Sequence, residues 1–294
     1  MAKGRKKQSQ GRKYFRLLLF IILVIIAIYL FKTGQLKFAD FGYPELDEIF
    51  ATNKPSSTTT TVVGVPQGHP GFPSNPSNCN IIQHTHYALC YNERYEQPNW
   101  VMYRLTENQL TGERVERSDD FRSDPKVSTG SAALDDYRGS GYDRGHLLPA
   151  ADMRFSEAAM SETFFMSNMS PQAPRFNRGI WKKLEEQVRD WAFDNDELYV
   201  VTGPVLQGDL PTIGENAVAV PQYYYKVILD LKEPQVKGIG FIMENKKLRG
   251  SLAHYAVSID KVEDFTGLDF FPTLPEDLEE NIERAMVVAE WLVK

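Results

Sequence analysis

The sequence predicts an α+β domain built on an antiparallel β-sheet flanked by helices, preceded by one transmembrane helix and a flexible linker. Three observations carry that expectation. Six runs rich in aromatic and β-branched residues follow one another, several joined by short turns: 85–92, 100–106, 198–205, 223–231, 236–244 and 255–260. Two stretches instead repeat their apolar residues at helical spacing. One is 179–193, with Trp181, Leu184, Val188 and Trp191 on one face; the other is 275–292, with Leu278, Ile282, Ala285, Ala289 and Leu292. Helices set between antiparallel neighbours are the pattern of an α+β layer arrangement. The third observation is a separate, unbroken apolar run from Leu17 to Phe31. Composition agrees: 42% apolar and 12% aromatic residues in a 294-residue chain exclude disorder throughout. Two cysteines are too few for a disulfide-built scaffold or a four-cysteine zinc site.

Residues 1–16 hold seven lysines and arginines and no acid, and read as a basic cytoplasmic tail. Residues 17–32 read as a transmembrane signal anchor. Fifteen apolar residues rising about 1.5 Å each span roughly 23 Å, and snorkelling of Arg16 and Lys32 with local thinning closes the gap to a ~30 Å hydrocarbon core. A cleaved signal peptide is the rival reading; it would end in small residues, whereas this run ends Tyr29-Leu30-Phe31-Lys32. Because cytoplasmic flanks collect lysine and arginine, the remainder is expected to face outward, on the periplasmic side of a bacterial inner membrane. An organelle version of the same domain is the alternative.

From 33 to 78 the hydrophobic period is lost. Lys54 is followed by Pro55, two serines and four threonines, then by Pro66, Pro70, Pro73 and Pro76, the composition of a tether without a packed core. Residues 79–294 are then one domain of ordinary size. Cys79 and Cys90, facing an oxidising compartment, either pair or remain two buried thiols. Pairing would close a short loop and add about 3 kcal/mol.

The chemistry concentrates between Asp136 and Glu185. In DYRGSGYDRGHLLPAADM, Gly139, Gly141 and Gly145 surround His146 and are expected to present it from an irregular segment. Asn168 and Asn177 follow in turn-like surroundings. Glu185 lies four residues after Trp181 and three before Val188, so it projects from the apolar stripe of its helix. An inward carboxylate is either a site group or is paired with Arg178, Lys182 or Arg189. A histidine, two carboxamides and a carboxylate suit a hard divalent cation that keeps several waters, magnesium with manganese as the alternative. Hydrolysis of a phosphodiester fits such a set: a neutral imidazole takes a proton from water, and an arginine binds developing charge. Arg117, Arg122 and Arg144 are the candidate arginines. Two further groups have ordinary explanations beside functional ones. His84 and His86 are packing residues or a second metal pair; Tyr223, Tyr224, Tyr225 and Lys226 are alternately buried strand residues or a base-stacking surface.

Asp143-Arg144-Gly145-His146, with Asn168 in SNMSPQ, Asn177 in FNRGIW, Glu185 in KKLEEQ and the later GLDFFPTLP, resembles the DNA/RNA non-specific endonucleases, the ββα-metal or His-Me finger family that includes endonuclease G. The resemblance runs from about His84 to the end. It implies a ββα-metal active-site motif with His146 as general base and Asn177 as the direct protein ligand of a magnesium ion. Glu185 would act through a metal-bound water. A regular helix would separate Asn177 and Glu185 by about 12 Å, too far for both to coordinate directly. Asn168 would support the hydrated metal or the histidine, Arg117 would stabilise the pentacovalent phosphate with Arg122 as alternative, and Arg144 would support the site. Family members are often homodimers, so a homodimer is a further expectation.

The expected function is therefore a magnesium-dependent, sugar-non-specific endonuclease acting on DNA and RNA. A phosphodiesterase for smaller nucleotide substrates and a catalytically silent nucleic-acid-binding or uptake component are the alternatives. Net charge counts against general affinity for polyanions. After the seven N-terminal cations, 26 basic side chains face 39 acidic ones, a net charge of −13. Binding is expected to be weak without the metal.

Overall fold

Strand alternation decides which side of the sheet each residue serves. In the strand Gln97–Thr106, Val101, Tyr103 and Leu105 enter one apolar cluster while Trp100 and Met102 enter another. The same division runs through Tyr223–Asp230, where Tyr224 and Ile228 face the first cluster and Tyr225, Val227 and Leu229 the second. The structure is a computed structural model describing residues 70–74, 79–233, 235–285, 288 and 291. The expected basic tail, the anchor at 17–32 and the linker up to 69 lie outside the described residues. Among those described, no helix is long and apolar enough to cross a membrane.

The strands are β1 (Asn80–Gln83), β2 (Tyr87–Asn92), β3 (Gln97–Thr106), β4 (Asp143–His146), β5 (Met169–Gln172), β6 (Glu197–Pro204), β7 (Thr212–Ile213), β8 (Val218–Ala219), β9 (Tyr223–Asp230), β10 (Lys237–Glu244) and β11 (Ala256–Val257). Seven form one sheet in the order β1-β2-β3-β6-β9-β10-β11, every pair antiparallel. The pairs β4–β5 and β7–β8 stand apart as two-stranded ribbons. Against one face packs the helix Lys182–Asp194 through Leu184, Val188 and Trp191, joined by Phe176 and Trp181. The helices Ile259–Thr266 and Glu276–Arg284 cover the other face through Ile259, Val262 and Ile282. Gly238 and Gly240 of β10 allow that approach, because a Cβ on either would collide with Ile259 or Val262.

Four expectations need revision. The strand expected over 255–260 is only two residues long, because the Ser258 hydroxyl accepts from the Lys261 amide and caps a helix that Gly267 closes in the left-handed conformation. The helix expected over 275–292 is interrupted after Arg284, where Ala285 turns extended, and Val288 and Trp291 are helical again. The helix expected over 179–193 is preceded by a π-helical turn, Phe176–Trp181, with Gly179 at φ −111°, ψ −111°. Finally, the tether does not extend to residue 78. Phe72 stacks on Trp100 at 5.6 Å, and Ser74 exchanges hydrogen bonds with Asp269, so 70–74 belong to the packed domain. Cys79 and Cys90 are joined as a disulfide that ties the chain before β1 to β2.

Candidate active site

His146 ends β4 rather than lying in an irregular segment. It pairs with Met169 across the β4–β5 ribbon, as Asp143 pairs with Gln172. The motif glycines serve different purposes. Gly139 and Gly141 adopt φ of +71° and +84° in the turn before the strand, and Gly145 lies against the Gln172 side chain, which a Cβ would strike. Asn168 locks the chain leaving the histidine. Its Oδ1 accepts from the Leu148 amide at 2.8 Å, and its Nδ2 donates to the Leu148 and Thr163 carbonyls at 3.0 and 2.8 Å. Buried, that carboxamide spends both amide hydrogens and one lone pair of its oxygen on backbone groups, which holds the chain just after the histidine.

Two phenylalanines hold the imidazole. His146 meets Phe164 edge-on at 5.0 Å and Phe121 at 5.8 Å, and those rings meet each other at 4.9 Å. Each ring also carries a guanidinium: Arg117 lies over Phe164 at 4.7 Å and Arg144 over Phe121 at 4.2 Å. The imidazole thus shares its aromatic walls with two cations. Burial, together with the charges of Arg117 and Arg144, pushes its pKa down to about 3, so the ring is neutral at physiological pH. Its Nε2 is buried and has no hydrogen-bond partner. Arg117 Nε also donates to Asp119 Oδ1 at 2.7 Å, and Arg122, the alternative phosphate ligand, is ion-paired as well. It donates to the Asp120 carboxylate at 2.7 Å and the Ser161 carbonyl at 3.0 Å, and lies over Phe165 at 4.1 Å.

Asn177 lies on the π turn, where its Nδ2 donates to Asp143 Oδ2 at 2.9 Å. Arg178 donates to the same carboxylate from Nε and Nη2. An ionised carboxylate only accepts, so it fixes the amide nitrogen of Asn177 toward Asp143 and turns Oδ1 away from it. The aspartate of the motif therefore orients the asparagine.

Glu185 stands on the helix Lys182–Asp194 without a side-chain hydrogen bond, half-buried beside a mixed charge cluster. None of the three pairings expected as its ordinary explanation forms. Arg178 binds Asp143, Lys182 lies 3.6 Å from Glu186, and Arg189 donates to Asp152 at 2.7 Å. Asp152 also accepts from the Tyr103 hydroxyl at 2.9 Å. Lys226 of β9, fully buried, brings its ammonium 4.9 Å from the Trp181 ring with no hydrogen-bond acceptor. Burial raises the pKa of Glu185 and lowers that of Lys226, while their mutual attraction opposes both shifts.

These groups fit a hydrated divalent cation. An amide oxygen turned from Asp143 and a carboxylate with unused acceptors are hard oxygen donors, and no thiolate competes with them; the unpartnered imidazole nitrogen is left for the proton. Sequence reasoning gave no role to Asp143 or Asp152 in this arrangement, offered Arg189 only as a partner for Glu185, and met Lys226 only as part of a strand or a base-stacking run. The expected alternation of burial is not seen: Tyr224, Tyr225 and Lys226 are all fully buried, because both faces of the sheet are covered, and they form no base-stacking surface. His84 and His86 bond separate carboxylates, Asp124 at 2.9 Å and Glu162 at 2.7 Å, and His84 stacks on Tyr87 and Phe165.

A hairpin carrying the histidine is thus followed by a helical segment carrying the asparagine and the glutamate. The family model described as DNA/RNA non-specific endonuclease matches residues 68–277, and the chain belongs to that family. It is 35% identical over 213 residues to mitochondrial endonuclease G of Homo sapiens, covering 68% of this chain and 72% of the relative. A nuclease of Nostoc sp. is 32% identical over 252 residues, covering 82% of this chain and 89% of that protein. Mitochondrial nuclease EXOG of Mus musculus is 34% identical over 224 residues, and the match spans 60% of its length. Among solved structures, that of an EndoG/EndoGI complex is similar with a TM-score of 0.66 and 32% identity, covering 71% of this chain and 91% of that one.

Proposed function

We propose that the domain is a magnesium-dependent, sugar-non-specific endonuclease that hydrolyses phosphodiester bonds of DNA and RNA. The observation that carries this reading is the unpartnered Nε2 of a neutral imidazole whose walls are shared with two guanidiniums. Nε2 takes the proton of the attacking water, and Arg117 holds the charge that gathers on the non-bridging oxygens, with Arg144 supporting. The phosphate offsets the two positive charges that depress His146, so binding substrate strengthens the base. A divalent cation held by Asn177, with Glu185 orienting one of its waters, would neutralise the phosphate and stabilise the leaving oxygen. Asn168 and Asp143 work behind the reacting atoms, one fixing the chain after the histidine and the other aiming the asparagine. Contacts confined to phosphate and sugar give weak sequence preference.

The test is cleavage of plasmid and of RNA by the full-length protein, with magnesium or with chelator, beside His146→Ala. Magnesium-dependent cleavage of both polymers, reduced roughly 10²–10⁴-fold by the substitution, is the expected result. No cleavage under any condition sinks the reading. Turnover of a small diester alone selects the small-nucleotide phosphodiesterase, and binding without turnover selects the silent binding component. We further propose that the anchor at 17–32 holds the domain on the outer face of the inner membrane. Protease added after opening only the outer barrier should then digest the domain in intact cells.

A further inference from the structure

Nearly every lysine and arginine among the described residues is compensated. Most form ion pairs with acids, such as Arg94 with Asp209, Lys246 with Glu244 and Arg284 with Glu280. Arg114, Lys126 and Arg154 donate to backbone carbonyls, and Arg144 and Lys226 lie over aromatic rings. Four remain without an ion pair, hydrogen bond or ring contact: Arg175, Lys183, Lys247 and Arg249. All four are exposed, and all four line one open trough of about 670 Å³. The trough also takes in Arg178 and has no acidic side chain in its lining. Such a concentration of like charge is unfavourable unless an anion joins it, and it occurs in a chain whose body is strongly acidic.

The trough has a defined place. One wall is the π turn and the start of the helix Lys182–Asp194; the other is the turn after β10, where Gly250 adopts φ +104°. Arg178 connects it to the candidate active site, because the carboxylate it grips, Asp143, also holds Asn177. A second depression lies on the far side of that ion pair, lined by Asp143, Arg144 and Arg138. A row of cations beginning beside the proposed metal ligand matches a ligand with repeated negative charge, not a single anion.

We propose that this trough is a subsite for the phosphates of a nucleic-acid strand flanking the scissile bond. The proposal rests on the nuclease reading and adds the path of the strand. It also revises the expectation from net charge: attraction for polymer is concentrated in this trough and persists without the metal. In chelator at low salt, binding on the order of 10 μM and steeply salt-dependent is expected.

The experiment uses the full-length protein and Lys247→Glu/Arg249→Glu, with Lys247→Gln/Arg249→Gln as the milder pair. Both positions lie on an exposed turn, and unchanged thermal unfolding verifies the fold. Binding of a fluorescein-labelled 20-nucleotide strand is read by anisotropy in chelator across a salt series, and kcat/KM is measured for plasmid and for a small aryl phosphodiester of thymidine. The expected result is at least a tenfold loss of affinity for the strand at 100 mM salt. The slope of log K against log salt should become shallower by about 1.5, the share of two phosphate contacts. Plasmid kcat/KM should fall with it, mainly through KM, while the small diester is unaffected. Unchanged strand affinity, or an equal fall on both substrates, overturns the proposal. Charge-dependent binding to phosphatidylglycerol vesicles without strand binding assigns the trough to a membrane and also overturns it. If the unmodified protein cleaves no substrate, the nuclease reading fails, while the anisotropy series still decides whether the trough binds a strand.

Discussion

Two clusters of partly or fully buried charge sit on opposite sides of the main sheet and are built by opposite rules. On the side of the catalytic helix, Asp152, Arg189, Lys226 and Glu185 alternate in sign, and Asp152 is fully hydrogen-bonded through Arg189 and Tyr103. On the other side, Asp260, Glu263 and Glu283 bring carboxylate oxygens within 4.8 Å of one another, and Glu279 adds a buried oxygen with no partner. Burial, and then the negative charges of Glu263, Glu279, Asp260 and Asp269, push the pKa of Glu283 up to about 9. The first cluster fixes geometry, because opposite charges in a poorly solvated place have few equivalent arrangements. The second stores protons, because like charges in such a place are relieved only by neutralisation.

Breaking the mixed cluster should have the largest effect. Arg189→Met leaves Asp152 buried without its cation, and a loss of about 3–5 kcal/mol in the unfolding free energy is expected from denaturant titration. Lys226→Met is gentler on the fold because the ammonium donates no hydrogen bond, but it removes the positive charge that opposes protonation of Glu185. The acid limb of the kcat/KM profile should move to higher pH, and activity at pH 6 should drop roughly tenfold. An unmoved acid limb would show that the lysine serves packing alone.

The like-charge cluster should respond in the other direction. The folded pKa of Glu283, about 9, exceeds the ordinary value of 4.5, so the folded state holds this proton more tightly than the unfolded chain. Its contribution is full below pH 4.5 and is lost as pH rises toward 9. Glu283→Gln should therefore stabilise the protein by on the order of 2 kcal/mol at pH 8 and leave it unchanged at pH 4, as read from thermal unfolding at the two pH values. Equal effects at both would mean that the cluster is solvated and the contrast with the first one false.

The difference between the clusters also shows what can be read from sequence. Five of the seven strands of the main sheet were legible, and His146, Asn168, Asn177 and Glu185 could be named as candidates, because alternation, helical spacing and a short motif are local properties. The partner of Glu185 was not. Lys226 reaches it only through the register of β9 against β6 and β10, which sets the side of the sheet it faces. Asp152 and Arg189 are 37 residues apart, and neither stands in a pattern that marks it. Composition also misassigned 70–74: the prolines read as tether, while the docking depends on one aromatic residue, Phe72, finding Trp100. Net charge is blind to placement in a similar way, since a sum over the chain conceals four cations without ion pairs in one trough.

The π turn at Phe176–Trp181 has a consequence for how this site tolerates change in length. The turn is kinked at Gly179, and each residue of a helix is about 100° of rotation. Deleting Arg178, Gly179 or Ile180 should therefore turn Asn177 by about that angle away from Asp143 while leaving the apolar stripe of Leu184, Val188 and Trp191 seated. Lineages descending from this sequence can therefore substitute on the exposed side of the helix beyond Lys183, which lines the cationic trough. They cannot shorten its beginning, because the aim of the asparagine is encoded as a count of residues.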